Sequence, residues 1–138
     1  GQPALATWVP DDGAGGRGRF WLVCAPSIHT HNSTFSHSPR HLKRRGLARV
    51  WLHPTDASTL GLSEGELAVL SNEQGSLSLP VGLDARLPTG LVRVDGLPRA
   101  SDTPERLGIN ALVPGTVTDL GDGNSLYSTR VNVSNSAT

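Results

Sequence analysis

The sequence has one cysteine, no methionine and, between Gly13 and Thr55, no aspartate or glutamate. A single thiol excludes an internal disulfide framework and a thiolate zinc site. Cys24 lies inside an apolar run, where a thiol is structural and inert. A chain that begins at Gly1 without any methionine is expected to be a fragment of a longer protein, or one freed from a tag. No apolar run approaches the roughly 18 to 20 residues of a membrane helix. The start shows no basic segment followed by an apolar one, so no signal peptide is expected. A cytoplasmic location follows as the expectation, with any targeting signal lying further upstream.

The missing acids make the charge uneven. Arg17, Arg19, Arg40, Lys43, Arg44, Arg45 and Arg49 stand unopposed in the acid-free stretch, while ten acids face five arginines from Asp56 onward. Two readings are open: an anionic ligand or partner near the basic stretch, or pairing of the two halves across the fold.

What is present is a chain of 138 residues, enough for one domain, with 36% hydrophobic residues and therefore a core. Its 16 glycines and 10 prolines argue for short elements joined by tight turns and against a helical bundle. Residues 1–18 are Gly-rich and polar and read as a linker. "RFWLVCA" (Arg19–Ala25) reads as a buried strand, "HLKRRG" as a helical turn stopped by Gly46, and "ARVWLH" (Ala48–His53) as a strand. "PTDASTLG" reads as a short helix: Pro54 suits the first turn, Asp56 complements the positive helix start, and Gly61 suits the stop. "ELAVLSN" and "SLSLPVGLD" flank the turn "EQG". In the second, Leu77, Leu79, Val81 and Leu83 alternate with Ser76, Ser78, Pro80 and Gly82, the pattern of a half-buried strand. Pro80 places it at an edge or a bulge. "LVRVDG" is a further strand. Residues 97–125 are mostly loop with "LGINALVP" ordered, and "STRVNV" (Ser128–Val133) is the last strand before a loose tail. Five or six strands, one clear helix and mostly hairpin-like connections favour a closed barrel.

The densest chemistry lies in "SIHTHNSTFSHSPRH", Ser27 to His41. As metal ligands, His29 and His31 would share a face of an extended segment, and His37 and His41 a face of a helix. No carboxylate or recognised spacing accompanies them, so the metal signal is weak. Ser33 or Thr34 could pair with His31 or His37 as nucleophile and base, but there is no nucleophile elbow or oxyanion-hole motif. The loop also offers hydroxyls, an amide and successive backbone N–H groups, which together form concave nests for phosphate oxygens. That chemistry suits a phosphate-bearing, nucleotide-like ligand. A polar surface loop with no ligand remains open at this point.

Three segments in one order carry a resemblance: "FWLVCAPSIHTHNSTFSHSPRHL", then "RVWLHPTDASTLGLSEGELAVLSNEQGSLSLPVGLDARLPTGLVRV", then "GINALVPGTVTDLGDGNSLYSTRVNV". From Phe20 to Val133 the chain resembles the C-terminal molybdopterin-dinucleotide-binding domain of the molybdopterin oxidoreductases, the superfamily of dimethyl sulfoxide reductase, periplasmic nitrate reductase and formate dehydrogenase. The resemblance implies a mainly β fold, a six-stranded double-psi β-barrel with short helices, over residues 19–134. Residues 1–18 would be linker or disordered, and 135–138 a tail. It implies molybdopterin guanine dinucleotide as cofactor, bound jointly with upstream domains of the same polypeptide. Carried over by position, the cofactor contacts would be Ser27, His29, His31, Asn32, Ser33 and Thr34 in the first loop, with Asn110 and Tyr127. His37 and His41 would be incidental. No residue of the fragment would be catalytic, no metal ligand is assigned, and the parent would be an oxidoreductase of the nitrate reductase or formate dehydrogenase kind. Electron-transfer subunits are expected partners, and neither nucleic acid nor a membrane segment is. Relatives often carry Arg or Lys where this chain has Pro26 and Ser27, and Asn where it has His53. The contrasting reading is a non-catalytic barrel module or small subunit without the cofactor.

Overall fold

The computed structural model describes residues 19–29, 34, 35, 37–117, 121–123 and 128–136. The expected linker at 1–18 lies outside them, as do His31, Asn32, Ser33 and Tyr127. Six strands close into a barrel: β1 (Phe20–Ala25), β2 (Val50–Leu52), β3 (Leu67–Asn72), β4 (Gly75–Leu83), β5 (Leu91–Asp95) and β6 (Arg130–Asn135). Around the barrel they run β1-β5-β2-β4-β3-β6. The mainly β, closed six-stranded architecture with few short helices is the one expected.

Connectivity differs from expectation. Only β3 and β4 are both consecutive in sequence and hydrogen-bonded neighbours, joined through Asn72 and Gly75. β1 pairs parallel with β5, and β2 parallel with β4. Parallel neighbours cannot be joined by a tight turn, so the chain crosses between them in longer segments. Two of these contain helices, α1 (Pro39–Arg45) and α2 (Pro54–Thr59). Residues 96–113 hold two turns of 3-10 helix, Ala100–Asp102 and Ile109–Leu112.

Period-two alternation fills the barrel. Phe20, Leu22, Val50, Leu52, Ala68 and Leu70 point inward and are buried, as are Leu77, Leu79, Val81, Val92, Val94 and Val131. Fully burying a side chain of this size contributes about 1.5–3 kcal/mol. Ile109 and Leu112 bring the second 3-10 turn onto the same core.

Strand β4 departs from simple alternation. Ser78 is buried, as is Gly82, while Leu83 is half-buried. The cause is that β4 serves two partners. It pairs with β3 over Gly75–Pro80 and with β2 over Val81–Leu83. Pro80 therefore sits at the change of partner inside a closed barrel, not at an edge, and pairing with β2 begins only one residue later. Glu105 covers the side of β4 that β2 does not reach: its carboxylate accepts from Ser78 N at 3.0 Å and from the Ser78 hydroxyl.

The helix signals act largely as read. Pro54 starts α2, and the His53 Nδ1 accepts from Thr55 N at 3.1 Å, so histidine caps this helix. At the other end Gly61 takes φ +65°, donating to Ser58 O, while Leu62 N donates to Ala57 O at 2.9 Å. This paired closure is a Schellman motif, and the left-handed residue in it favours glycine. Asp56 does more than complement the helix start: its Oδ2 accepts from Gly90 N at 2.8 Å, tying α2 to the turn before β5. β2 is shorter than expected at three residues, and β6 runs through Asn135, so the tail is ordered further than expected.

Candidate functional site

β1 and β5 end side by side, Ala25 beside Asp95, and β2 begins next to them with Val50 beside Val94. The loops leaving these strand ends diverge around a cleft of about 510 Å³. Ser27 and His29 line it from the loop after β1; Arg49 and Trp51 line it from β2 and the residue before it. Arg86, Arg93 and Arg45 complete a basic wall, with Asp95 the only carboxylate among the described lining residues.

Each part of that wall has a local cause. Arg93 lies on β5 between Val92 and Val94; the two valines face the core, so alternation turns Arg93 outward. Its guanidinium lies over the Trp51 ring, 5.5 Å from the centroid. Nη1 is 3.4 Å from Asp84 Oδ2, and Nε is 2.9 Å from Asp95 Oδ1. The latter contact is an ion pair without hydrogen-bond alignment, and the buried Nε has no hydrogen-bond partner. Asp84 also takes a bidentate contact from Arg86, at 2.9 and 3.0 Å. Those hydrogen bonds hold the Asp84 carboxyl well below the usual carboxylate range. Arg86 itself is largely exposed, so the pair contributes little to stability.

Arg49 donates to Val81 O at 3.2 Å and has only an exposed Glu64 at 3.7 Å as counter-ion. Arg45, at the end of α1, is fixed by Asp102 at 2.8 Å. Burial opposes ionisation of Asp102, yet hydrogen bonds from Arg99 and Arg45 hold its pKa down to about 2. Both open readings of the charge pattern are therefore represented. Arg45 and Arg49 pair with acids of the other half, whereas Arg40, Lys43 and Arg44 have no acidic partner among the described residues.

The loop after β1 is held by short contacts. His29 N donates to Ser27 Oγ at 2.9 Å, so this N–H is engaged within the loop. His41 Nδ1 lies 2.8 Å from His29 O. A carbonyl only accepts, so Nδ1 carries the proton. The Phe35 ring stacks on His41, with centroids 4.8 Å apart and planes 16° apart. His41 thus makes two contacts that hold this loop, whereas His37 is exposed.

Of the expected contacts, Ser27 and His29 lie in the cleft. Thr34 is exposed and Asn110 is exposed on the second 3-10 turn, which packs against β4; neither lines the cleft. Sequence reading missed Trp51, Arg86 and Arg93 as cleft residues. Arg45 and Arg49 had a visible signal, the stretch without acids. Arg93 had one as well, a lone charge between two valines on a strand.

Residues 20–130 match the family model for the Molydopterin dinucleotide binding domain. The chain belongs to that family. The family's ligand is a molybdopterin dinucleotide, whose phosphates are anionic. The donor set fits such a group: four arginines, a serine and a histidine meet at one cleft. The chain is also 29% identical, over 136 residues, to the probable oxidoreductase YoaE of Bacillus subtilis (strain 168). That match covers 96% of this chain and 19% of YoaE, so the chain spans about a fifth of that relative's length. Acetylene hydratase from Pelobacter acetylenicus has a similar fold, with a TM-score of 0.51 and 23% identity over 56% of this chain and 11% of that one. No helix among the described residues is long and apolar enough to cross a membrane.

Proposed function

We propose that this molybdopterin-dinucleotide-binding domain is the C-terminal part of a molybdenum- or tungsten-dependent oxidoreductase, of the nitrate reductase and formate dehydrogenase kind. It binds and orients a molybdopterin guanine dinucleotide together with upstream domains of the same polypeptide. Cytoplasmic placement and electron-transfer subunits belong to the same reading. The observation that carries it is the cleft at the ends of β1 and β5, where the described lining residues include four arginines, a serine and a histidine.

In this cleft Arg49 and Arg93 supply charge to the phosphates, and Ser27 and His29 supply short-range polar contacts. The family resemblance adds His31, Asn32, Ser33, Thr34, Asn110 and Tyr127 as further contacts; Thr34 and Asn110 lie outside this cleft, so they would meet other parts of the dinucleotide. The bound group supplies the redox chemistry; the domain supplies position and a fixed electrostatic environment. Burying charge-assisted hydrogen bonds to phosphate is worth about 1.5–3 kcal/mol each, so single losses should weaken retention without abolishing the fold.

The test uses the full-length parent protein. Arg49→Ala, and separately the pair Ser33→Ala with Asn110→Ala, are purified and assayed for bound molybdenum or tungsten and for nucleotide released on denaturation. The expected result is about a tenfold or greater fall in cofactor affinity for Arg49→Ala. Unchanged metal and nucleotide content in both variants would overturn the reading.

A further inference from the structure

We propose that His41 is a positioning residue for the cofactor cleft, with α1 acting as the brace that holds the loop after β1 in place. The proposal rests on the cofactor-binding reading above and names a residue that touches neither the cleft nor, on this geometry, the ligand.

The structural chain is short. The Nδ1–H of His41 donates to His29 O at 2.8 Å. The other side of the same residue, His29 N, donates to Ser27 Oγ at 2.9 Å. His29 is thus held at both of its backbone polar groups, and Ser27 and His29, the two polar cleft residues among the described part of this loop, are tied together and to α1. Phe35, on the far side of residues 30–33, stacks on the same imidazole and has φ +65°, a left-handed conformation that a bulky side chain seldom adopts. One ring therefore fixes both flanks of the loop. Phe35 is 57% exposed, so core burial does not account for its placement; the stack on His41 does.

A brace must itself be anchored. α1 has no buried residue, so packing into the core does not hold it. Its last residue, Arg45, is instead clamped to Asp102 at 2.8 Å, and Asp102 takes two further bonds from the Arg99 side chain at 3.1 and 2.8 Å. Arg45 also lines the cleft. The helix thus joins a fixed point on the segment after β5 to the loop after β1.

His41→Phe keeps a ring for Phe35 and removes the donor. His41→Asn places an amide N–H where Nδ1 stands and removes the ring. Both are made in the full-length protein, and cofactor loss is followed by nucleotide release during extended dialysis, with folding checked by circular dichroism. The expected result is roughly fivefold faster loss from His41→Phe, the size of one net hydrogen bond, and a clearly smaller increase from His41→Asn, which keeps the donor and gives up only the stack on Phe35. If His41→Phe does not fold, His41→Ala takes its place in the comparison. Wild-type retention in the donorless variant, or equal leakage from both variants, would sink the proposal. Arg49→Ala in the same experiment separates the two levels. Leakage there with retention in His41→Phe overturns only the positioning role. Retention in Arg49→Ala as well overturns the cleft reading beneath it.

Discussion

Trp51 fills the space in which a side chain at position 82 would begin: a Cβ on Gly82 would lie 2.6 Å from Trp51 Cε3 and 2.7 Å from Cζ3. Gly82 pairs with Trp51 across the parallel β2–β4 ladder, so the two residues are neighbours by register. Gly82→Ala should therefore force the indole to shift and cost about 1–3 kcal/mol. Urea denaturation measures this. Because Trp51 is the contact that clashes, Gly82→Ala should cost much less in a Trp51→Ala background, and the two changes should be non-additive.

Glu105→Ala should destabilise the barrel by about 1–3 kcal/mol, since it leaves the N–H and hydroxyl of buried Ser78 without their acceptor. Adding Ser78→Ala should recover part of that loss by removing the orphaned hydroxyl, while the N–H stays unpaired. Thermal unfolding of the two variants checks the order.

These two sites show where sequence reading reached and where it stopped. The β3–β4 hairpin was legible because its alternation and its turn lie within one local stretch. The α2 helix was legible because Pro54 and Gly61 act on their own backbone. Ser78 was not, because alternation assigns a serine to solvent and its cover, Glu105, comes from 27 residues away. The same reason hid the barrel order: β1 meets β5 by pairing Trp21 with Leu91, a contact that no local pattern encodes. In the cleft, Ser27 and His29 were found by their place after the first strand. Trp51 and Arg93 became neighbours only through the β2–β5 pairing.

Acid should expose the Asp102 clamp. Its carboxyl is lowered from 3.8 to about 2 in the folded chain, so its contribution is present above the ordinary value and is lost as pH falls through about 2. Stability measured by urea titration should fall across that window in the wild type. Asp102→Asn should be less stable at neutral pH and show a flatter dependence over the same window.

Cys24 should react slowly. Burial pushes its thiol up to about 11, so little thiolate forms near neutrality. Alkylation by iodoacetamide at about pH 8 should be far slower than in the denatured chain, with the folded rate rising only in strongly alkaline buffer. Mass spectrometry over time measures both rates.

The barrel is closed by its last strand. β6 lies between β1 and β3, pairing Phe20 with Val131 and Leu70 with Val133. During synthesis, then, β1 is the first of the six barrel strands to be made, yet it and β3 each keep an unpaired edge until residues 130–135 have left the ribosome. Such edges invite pairing with other chains. A stalled or truncated product ending before Arg130 should be a substrate for chaperones and proteases rather than a smaller folded domain.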